Sequence, residues 1–342
     1  MPLYLPLTNT APNLIFNPTT VVSQRYVGVA TVITDNAYWA DRWRYIGEAS
    51  ATCTASDTTV GGGRTNGAIK FTGTTDKGGA FQVLEGKDCG HLRSTLVSLG
   101  AVLSVSSTRL GNIKMGIAEF TGTEDAVSGD PVTTWGADGT TPTLAASWAF
   151  LNTPANLSVT TSPVTYTVSA TCGASMNNLA VIIWNDDKVY TANDAMYFTD
   201  VQLKRGSSVG TFDPPEIFAI QLARCQRYFQ KSATINTVIG TANDANFFGL
   251  VSFNPVAAQY YYQTIFAVRM RALPAITIYP YTTPTNTGRS SNGSGTDYGA
   301  GSGDVPTGAV SEGFFAVRNN TAGTLTVTQG IIIFAWYASA EL

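Results

Sequence analysis

The sequence predicts an all-β chain: an N-terminal jelly roll or β-sandwich, one connecting α-helix, and a C-terminal β-sandwich-like domain. Three observations carry that prediction. Short runs rich in Val, Ile, Thr, Tyr and Phe recur along almost the whole chain. Clusters of Gly, Asn, Asp and Pro separate them, as turns separate strands. Only one segment spaces its apolar residues at the helical period.

Residues 1–12 are apolar, broken by proline and without period. Leu3, Tyr4, Leu5 and Leu7 are costly to leave in water, so an extended arm anchored on a neighbouring protein is expected there. Residues 13–212 read as the jelly-roll module. Its strand-like runs are 27–33, 68–72, 92–105, 114–120, 166–170 and 179–184. Its turn clusters include Gly61-Gly62-Gly63, Asp76-Lys77-Gly78-Gly79, Ser128-Gly129-Asp130-Pro131 and Asn185-Asp186-Asp187-Lys188. Asp41-Arg42-Trp43 fits a sandwich corner, with the indole filling core and the ion pair tying a loop.

A linker helix is expected within 213–232. Asp213 is a good N-cap, Pro214 and Pro215 suit a helix entry, and Glu216 follows the cap at the capping-box spacing. Ile217, Phe218, Leu222, Cys225, Tyr228 and Phe229 then form one apolar stripe. Residues 233–342 return to β, with strands expected over 246–253, 260–270, 275–279, 314–317 and 324–337. Between them, 281–311 is a run of Thr, Ser, Gly, Asn and Pro, far longer than the usual connection of about four to six residues. It reads as a flexible hairpin, or as a binding loop in which Tyr281, Arg289 and Tyr298 grip a sugar. In the first module Trp135, beside Thr134 and Gly136, is the best exposed aromatic candidate for the same task. Trp148 and Tyr190 offer weaker ones, and Trp184, beside Val181, Ile182 and Ile183, reads as core.

The totals narrow the function. Only 13% of the 342 residues are charged, against about 25% in ordinary soluble domains. Such a surface suits a protein largely covered by partners or meeting uncharged polar ligands. A net charge of −3 without a basic run weighs against nucleic acid. No apolar run reaches the roughly 18 residues that span a bilayer, and the N-terminus lacks the basic region of a secretory signal, so synthesis in a cytosol is expected. Cys53, Cys89, Cys172 and Cys225 form no CxxC pair and read as buried free thiols. His91 is the one histidine, which leaves no His-rich metal cluster.

The words Ala40-Asp41-Arg42-Trp43, Asp200-Val201-Gln202-Leu203-Lys204-Arg205-Gly206 and Leu222-Ala223-Arg224-Cys225-Gln226-Arg227-Tyr228-Phe229-Gln230-Lys231 together resemble a family of bacteriophage fibre proteins. In that family an Asn-Leu-Ile opening, here Asn13-Leu14-Ile15-Phe16-Asn17, leads into a jelly roll similar to carbohydrate-binding modules. Arg269-Met270-Arg271-Ala272-Leu273-Pro274 resembles the start of its last domain, and Ala338-Ser339-Ala340-Glu341-Leu342 its end. Lys204 replaces the usual acidic residue. None of these words is catalytic. The resemblance implies a virion protein assembled in the host cytoplasm, commonly a homotrimer, that contacts a tail adaptor, baseplate or capsid shell and binds host-surface polysaccharide. The short segment before the first module leaves a head fibre or capsid decoration protein as the alternative to a tail fibre. Jelly-roll sugar modules often hold a structural Ca²⁺ on backbone carbonyls and one or two Asp; no residue set stands out for it, and no other cofactor is expected.

Catalysis finds little support. A glycosidase needs two carboxylates at a defined separation. The sequence-adjacent pairs Glu124–Asp125 and Asp186–Asp187, and Asp194 with Asp200, all sit in turn-like sequence where carboxylates cap turns. Cys89 and His91 would share a face if their segment were a strand, which is a weak basis for nucleophilic chemistry. A tail-associated polysaccharide hydrolase is therefore only a second alternative.

The run Gly330-Ile331-Ile332-Ile333-Phe334-Ala335-Trp336-Tyr337 is apolar on both strand faces, so both must be covered. The helix stripe offers a matching surface. A trimer interface through Ile217, Phe218, Leu222, Tyr228 and Phe229 is expected.

Overall fold

A computed structural model describes residues 11–26, 31–48, 52–59, 65–71, 77–127, 129–187, 191–212, 217–235, 237–238, 248–251, 260–281, 283, 287–292, 297–298, 310–319 and 331–342. The fold is all-β with short helices. Two compact units divide the chain: the first comprises Met1–Val21, Gly28–Ile217 and Leu342, the second Val22–Val27 and Phe218–Glu341. Leu3, Tyr4, Leu5 and Leu7, Tyr190, and the expected cap from Asp213 to Glu216 lie outside the described residues.

Unit 1 begins with β1 (Thr31–Thr34), β2 (Tyr38–Ala40), β3 (Trp43–Gly47), β4 (Thr52–Thr59), β5 (Thr65–Phe71), β6 (Gly78–Leu84) and helix α1 (Gly86–Cys89). Next come β7 (Leu96–Val105), β8 (Ile113–Phe120), β9 (Val132–Thr134) and β10 (Thr143–Leu144). β11 (Trp148–Phe150), β12 (Val164–Thr171), β13 (Asn178–Asn185) and β14 (Ala195–Arg205) complete it. These build two six-stranded sheets, β1-β4-β5-β14-β7-β12 and β11-β8-β13-β6-β3-β2, with β9 and β10 as a separate hairpin.

The second sheet is buried on both faces, and β13 shows why its sequence is a continuous apolar run. Every residue from Asn178 to Asn185 is buried. In register, Ile183 opposes Ala80, which opposes Tyr45. On that side Trp43 meets Phe198 of the first sheet edge-on at 5.3 Å, so this face makes the inter-sheet core. The opposite face carries Ala180, Ile182 and Trp184 and is covered by Val127, Val132 and Trp135. Those three belong to the excursion 121–147, which leaves β8 and returns as β11, paired with β8 again. Gly79 lets β6 and β13 approach: a Cβ there would lie 2.0 Å from the Ile183 carbonyl oxygen, and only glycine avoids that clash.

The opening motif has a mechanical role. Asn13 Nδ2 donates to the Val201 carbonyl at 2.9 Å, and its Oδ1 accepts from the Leu203 and Ile15 amides at 3.0 and 3.1 Å. Its amide thus occupies hydrogen-bonding positions along β14 beside the register shift between Thr199 and Gln202, where Asp200 has φ 52. Gln82 likewise clamps Phe16 through both backbone groups, at 2.8 and 2.9 Å. The Asp41-Arg42-Trp43 corner is fully inside. Trp43 Nε1 donates to Asn17 O at 2.8 Å, and Arg42, 1% exposed, donates to Val83 O.

Unit 2 contains α2 (Phe218–Gln226), β15 (Phe229–Lys231), β16 (Phe248–Val251), β17 (Tyr260–Ile265) and β18 (Ala275–Pro280). β19 (Ser290–Asn292), β20 (Asp297–Tyr298), β21 (Phe314–Asn319) and β22 (Ile331–Ser339) follow. β22 is the hub, pairing with β15, β16, β18 and β19, which explains why its sequence is apolar on both faces. Its Phe334 and Trp336 pack with Phe266 and Phe315, beside the β17–β21 ribbon.

Several expectations change. The helix stops at Gln226, and Phe229–Lys231 is a strand paired to Ser339–Tyr337. Tyr228 and Phe229 are therefore buried, at 0% and 3% exposure, and do not present the outward apolar stripe that a helix through 229 would carry. Ile217 and Phe218 are exposed at the helix entry, because α2 packs through Gln221 and Cys225. The segment 281–311 is not a bare loop: β19 and β20 form a hairpin that joins β22. Residues 92–95 form a helical turn and loop, so β7 begins at Leu96, and β17 ends at Ile265. The strands 38–47, 52–59 and 78–84 carry no strong sequence signal, because Gly, Ser and charged residues interrupt them.

Candidate functional site

Two groups of buried charge face the excursion 121–147 in unit 1. The first is closed. Lys77, 0% exposed, donates to Asp186 Oδ1 at 2.8 Å and to Ala137 O at 2.9 Å, with Asp138 Oδ1 at 3.4 Å. Lys114 reaches Asp186 Oδ2 at 2.9 Å and Thr140 O at 3.3 Å. The Gly139 amide completes the shell of Asp186 at 2.9 Å. Every charge has a partner. The cluster pins the 137–140 turn across the end of β13.

The second group is open. Arg44 opposes Phe81 in register, and its guanidinium lies 4.8 Å from that ring's centroid. The residue is 6% exposed, yet its Nε is sealed from water without a hydrogen-bond partner, and it forms no ion pair among the described residues. Trp148 reaches over from edge strand β11 to meet Phe81 edge-on at 5.8 Å and Phe120 at 5.1 Å. On the same face Trp135 leaves a buried Nε1 without a partner.

Beside Arg44 lies a carboxyl pair. Burial, with the charge of Asp35 nearby, holds the Asp130 carboxyl above the usual 3.8 against the opposing pull of the Val132 amide and Arg44. Asp35 accepts from the Gly47 amide at 2.8 Å and from Asn36 Nδ2 at 2.7 Å. Asn36 Oδ1 is buried without a partner.

The carboxylates singled out in the sequence do other work. Asp125 accepts from the Gly86 amide and Asn178 Nδ2 at 2.9 and 2.6 Å. Asp187 holds Asn112, and Asp194 holds Arg109. Cys89 sits in α1, not on a strand, and burial pushes its thiol up to about 12. A thiol held protonated is a poor nucleophile at neutral pH. All four cysteines are buried and free. Among the described residues no group of three or more His, Cys, Asp or Glu could hold a metal ion.

No family model matches the sequence, and no curated protein matches it. Among solved structures, the enzymatically active domain of bacteriophage CBA120 tailspike protein 4 aligns over 57% of this chain at 8% identity, with a TM-score of 0.33. A Clostridium thermocellum xylanase fragment, CBM22-1 with its GH10 module, aligns over 56% at 13% identity and a TM-score of 0.33. The CBM22-1 xylan-binding domain from Paenibacillus barcinonensis aligns over 58% at 9% identity and a TM-score of 0.30, covering 97% of that domain. The match spans 21% of the tailspike chain and 30% of the xylanase chain. At TM-scores this low the likeness decides nothing, and the reading of this chain rests on its own residues.

The expected sugar-binding residues fare differently. Trp135 is 5% exposed and packs under the excursion, so it is core and not an open platform; its flanking turn residues mislead because the turn folds back over the sheet. In unit 2, Tyr281 is half-exposed and its amide donates to Ser291 Oγ at 2.7 Å. Arg289 precedes β19, and Tyr298 lies on β20 opposite Ser290. The structure thus places Tyr281, Arg289 and Tyr298 on or beside strands of one sheet. Sequence reasoning missed Arg44, Asp35, Asp130 and Phe81. The available signal was Arg44 itself, a charge inside the run Trp43–Gly47, every residue of which is buried.

Proposed function

We propose that the chain is a non-enzymatic virion protein of a bacteriophage, a homotrimeric fibre attached through its N-terminal residues, whose unit 1 sandwich binds a host-surface glycan. The observation that carries the glycan reading is the Arg44 guanidinium, nine-tenths buried and 4.8 Å from the Phe81 ring, its Nε without an acceptor among the described residues. Apolar faces with a few convergent polar groups are what small polar ligands use. Low charge density and the fibre-like sequence words support the virion role. The exposed Ile217, Phe218 and Ile220 at the entry of α2 support assembly, since such side chains are usually covered.

The test has two arms. Labelled chain is imaged on purified particles, with and without residues 1–12, and incubated with host-surface polysaccharide while chain length is followed. Binding without shortening of the polysaccharide, and loss of the truncated chain from particles, is the expected result. Depolymerisation would replace this reading with the hydrolase. Light scattering giving a clean monomer would remove the trimer.

A further inference from the structure

We propose that Lys77 and Asp186 condense into an intramolecular isopeptide bond, a covalent amide that ties β6 to β13 within the unit 1 sandwich.

The pair stands in register. Asn185 opposes Gly78 in the antiparallel ladder, so Lys77 and Asp186 face each other at the next position, just past the ends of β6 and β13. Their side chains are 0% and 1% exposed, and Lys77 Nζ lies 2.8 Å from Asp186 Oδ1. Lysine is almost never fully buried unless paired. An amine held against an oxygen of the carboxyl carbon it can attack has the proximity that speeds intramolecular acyl transfer.

The surroundings exceed what an ion pair needs. The two oxygens of Asp186 are served unequally. Oδ1 faces Lys77, whereas Oδ2 accepts from both Lys114 Nζ and the Gly139 amide, each at 2.9 Å. Two donors converging on one oxygen, one of them cationic, make an oxyanion hole. The Ala137 carbonyl fixes Lys77 Nζ at 2.9 Å, and Asp138 Oδ1 lies 3.4 Å from the same nitrogen. Asp138 is thus placed to carry a proton to and from the reacting amine.

The step balances without any other reagent. A proton passing from Nζ to Oδ1 turns the ion pair into an amine and a carboxylic acid. The Nζ lone pair attacks Cγ, and negative charge collects on Oδ2, where Lys114 and the Gly139 amide meet it. Asp138 takes one proton from Nζ and returns it to the Oδ1 hydroxyl, which leaves as water. The Nζ–Cγ bond has formed, the Cγ–Oδ1 bond has broken, and the carbonyl is restored on Oδ2. Lys114 and Asp138 end as they began. Burial of Lys77 and Asp186 then shields the amide from hydrolysis.

Intact-mass spectrometry of the full chain under denaturing conditions tests the assignment. The wild type should weigh one water less than its sequence, and fragmentation should find one branched peptide joining Lys77 to Asp186. K77R, first shown to melt in a single cooperative transition, should have the full sequence mass. D138N should be recovered mostly at the full mass, since losing a general acid–base group slows such a step by about a hundredfold or more. If K77R does not fold, the branched peptide of the wild type decides alone. A wild type at the full sequence mass overturns the proposal. So does a water loss that persists in folded K77R or is reversed by hydroxylamine, which marks a succinimide. A branch mapped to Lys114 overturns the assignment of nucleophile and oxyanion donor, and D138N cross-linked as fully as the wild type removes Asp138 from the step.

Discussion

Asp186 and Arg44 are both buried charges on one sheet, and the excursion 121–147 meets both, yet their surroundings differ in kind. Asp186 accepts from two lysines and a backbone amide, and those lysines reach on to carbonyls of the turn. Arg44 has a ring beneath it, and its Nε has no acceptor among the described residues. A buried ion pair holds structure because removing one partner strands the others. A buried charge held by no hydrogen bond ties no elements of the fold together. The contrast assigns the first to architecture and the second to recognition.

The largest effect should come from D186A, which strands Lys77 and Lys114. We expect a loss of about 3–5 kcal/mol in urea unfolding. A loss comparable to that of a surface pair would erase the contrast. D130N should act through pH. The Asp130 carboxyl is raised above the usual 3.8, so its contribution to stability is complete below the unfolded value and is lost as pH rises through the folded one. The amide imitates the protonated form. D130N should therefore melt higher than wild type at pH 7, with the difference vanishing near pH 3; a lower melting temperature at pH 7 would contradict the assigned surroundings. R109A removes a pair whose arginine is 54% exposed, with Asp194 at 3.1 Å, and should cost at most about 1 kcal/mol. Smallest of all for stability is R44M, expected to melt close to wild type because the desolvation cost it removes offsets the attraction to Asp130 that it loses. If R44M destabilised as much as D186A, Arg44 would be structural after all.

Much of the fold was legible. The runs 114–120, 179–184 and 275–279 announced themselves because their apolar residues are uninterrupted or alternate, and the structure has β8, β13 and β18 there. The helix was legible in kind and not in length. Tyr228 and Phe229 fit its period equally well as a strand entry, and only pairing with β22 decides between them. The carboxyl pair was hidden for a different reason. Asp35 and Asp130 are far apart in the chain and each sits in an ordinary turn, so neither carries a local mark. Trp135 failed because a turn-rich flank looks the same whether the turn faces water or folds over a sheet.

The sequence by itself determined the all-β class, the position of the connecting helix and the scarcity of charge, since each depends on composition or on short-range periodicity. Tertiary structure decided which buried charges find partners and which do not. That distinction depends on the acceptors long-range strand pairing brings to each cation: Asp186 to Lys77 and Lys114, and none among the described residues to Arg44 Nε.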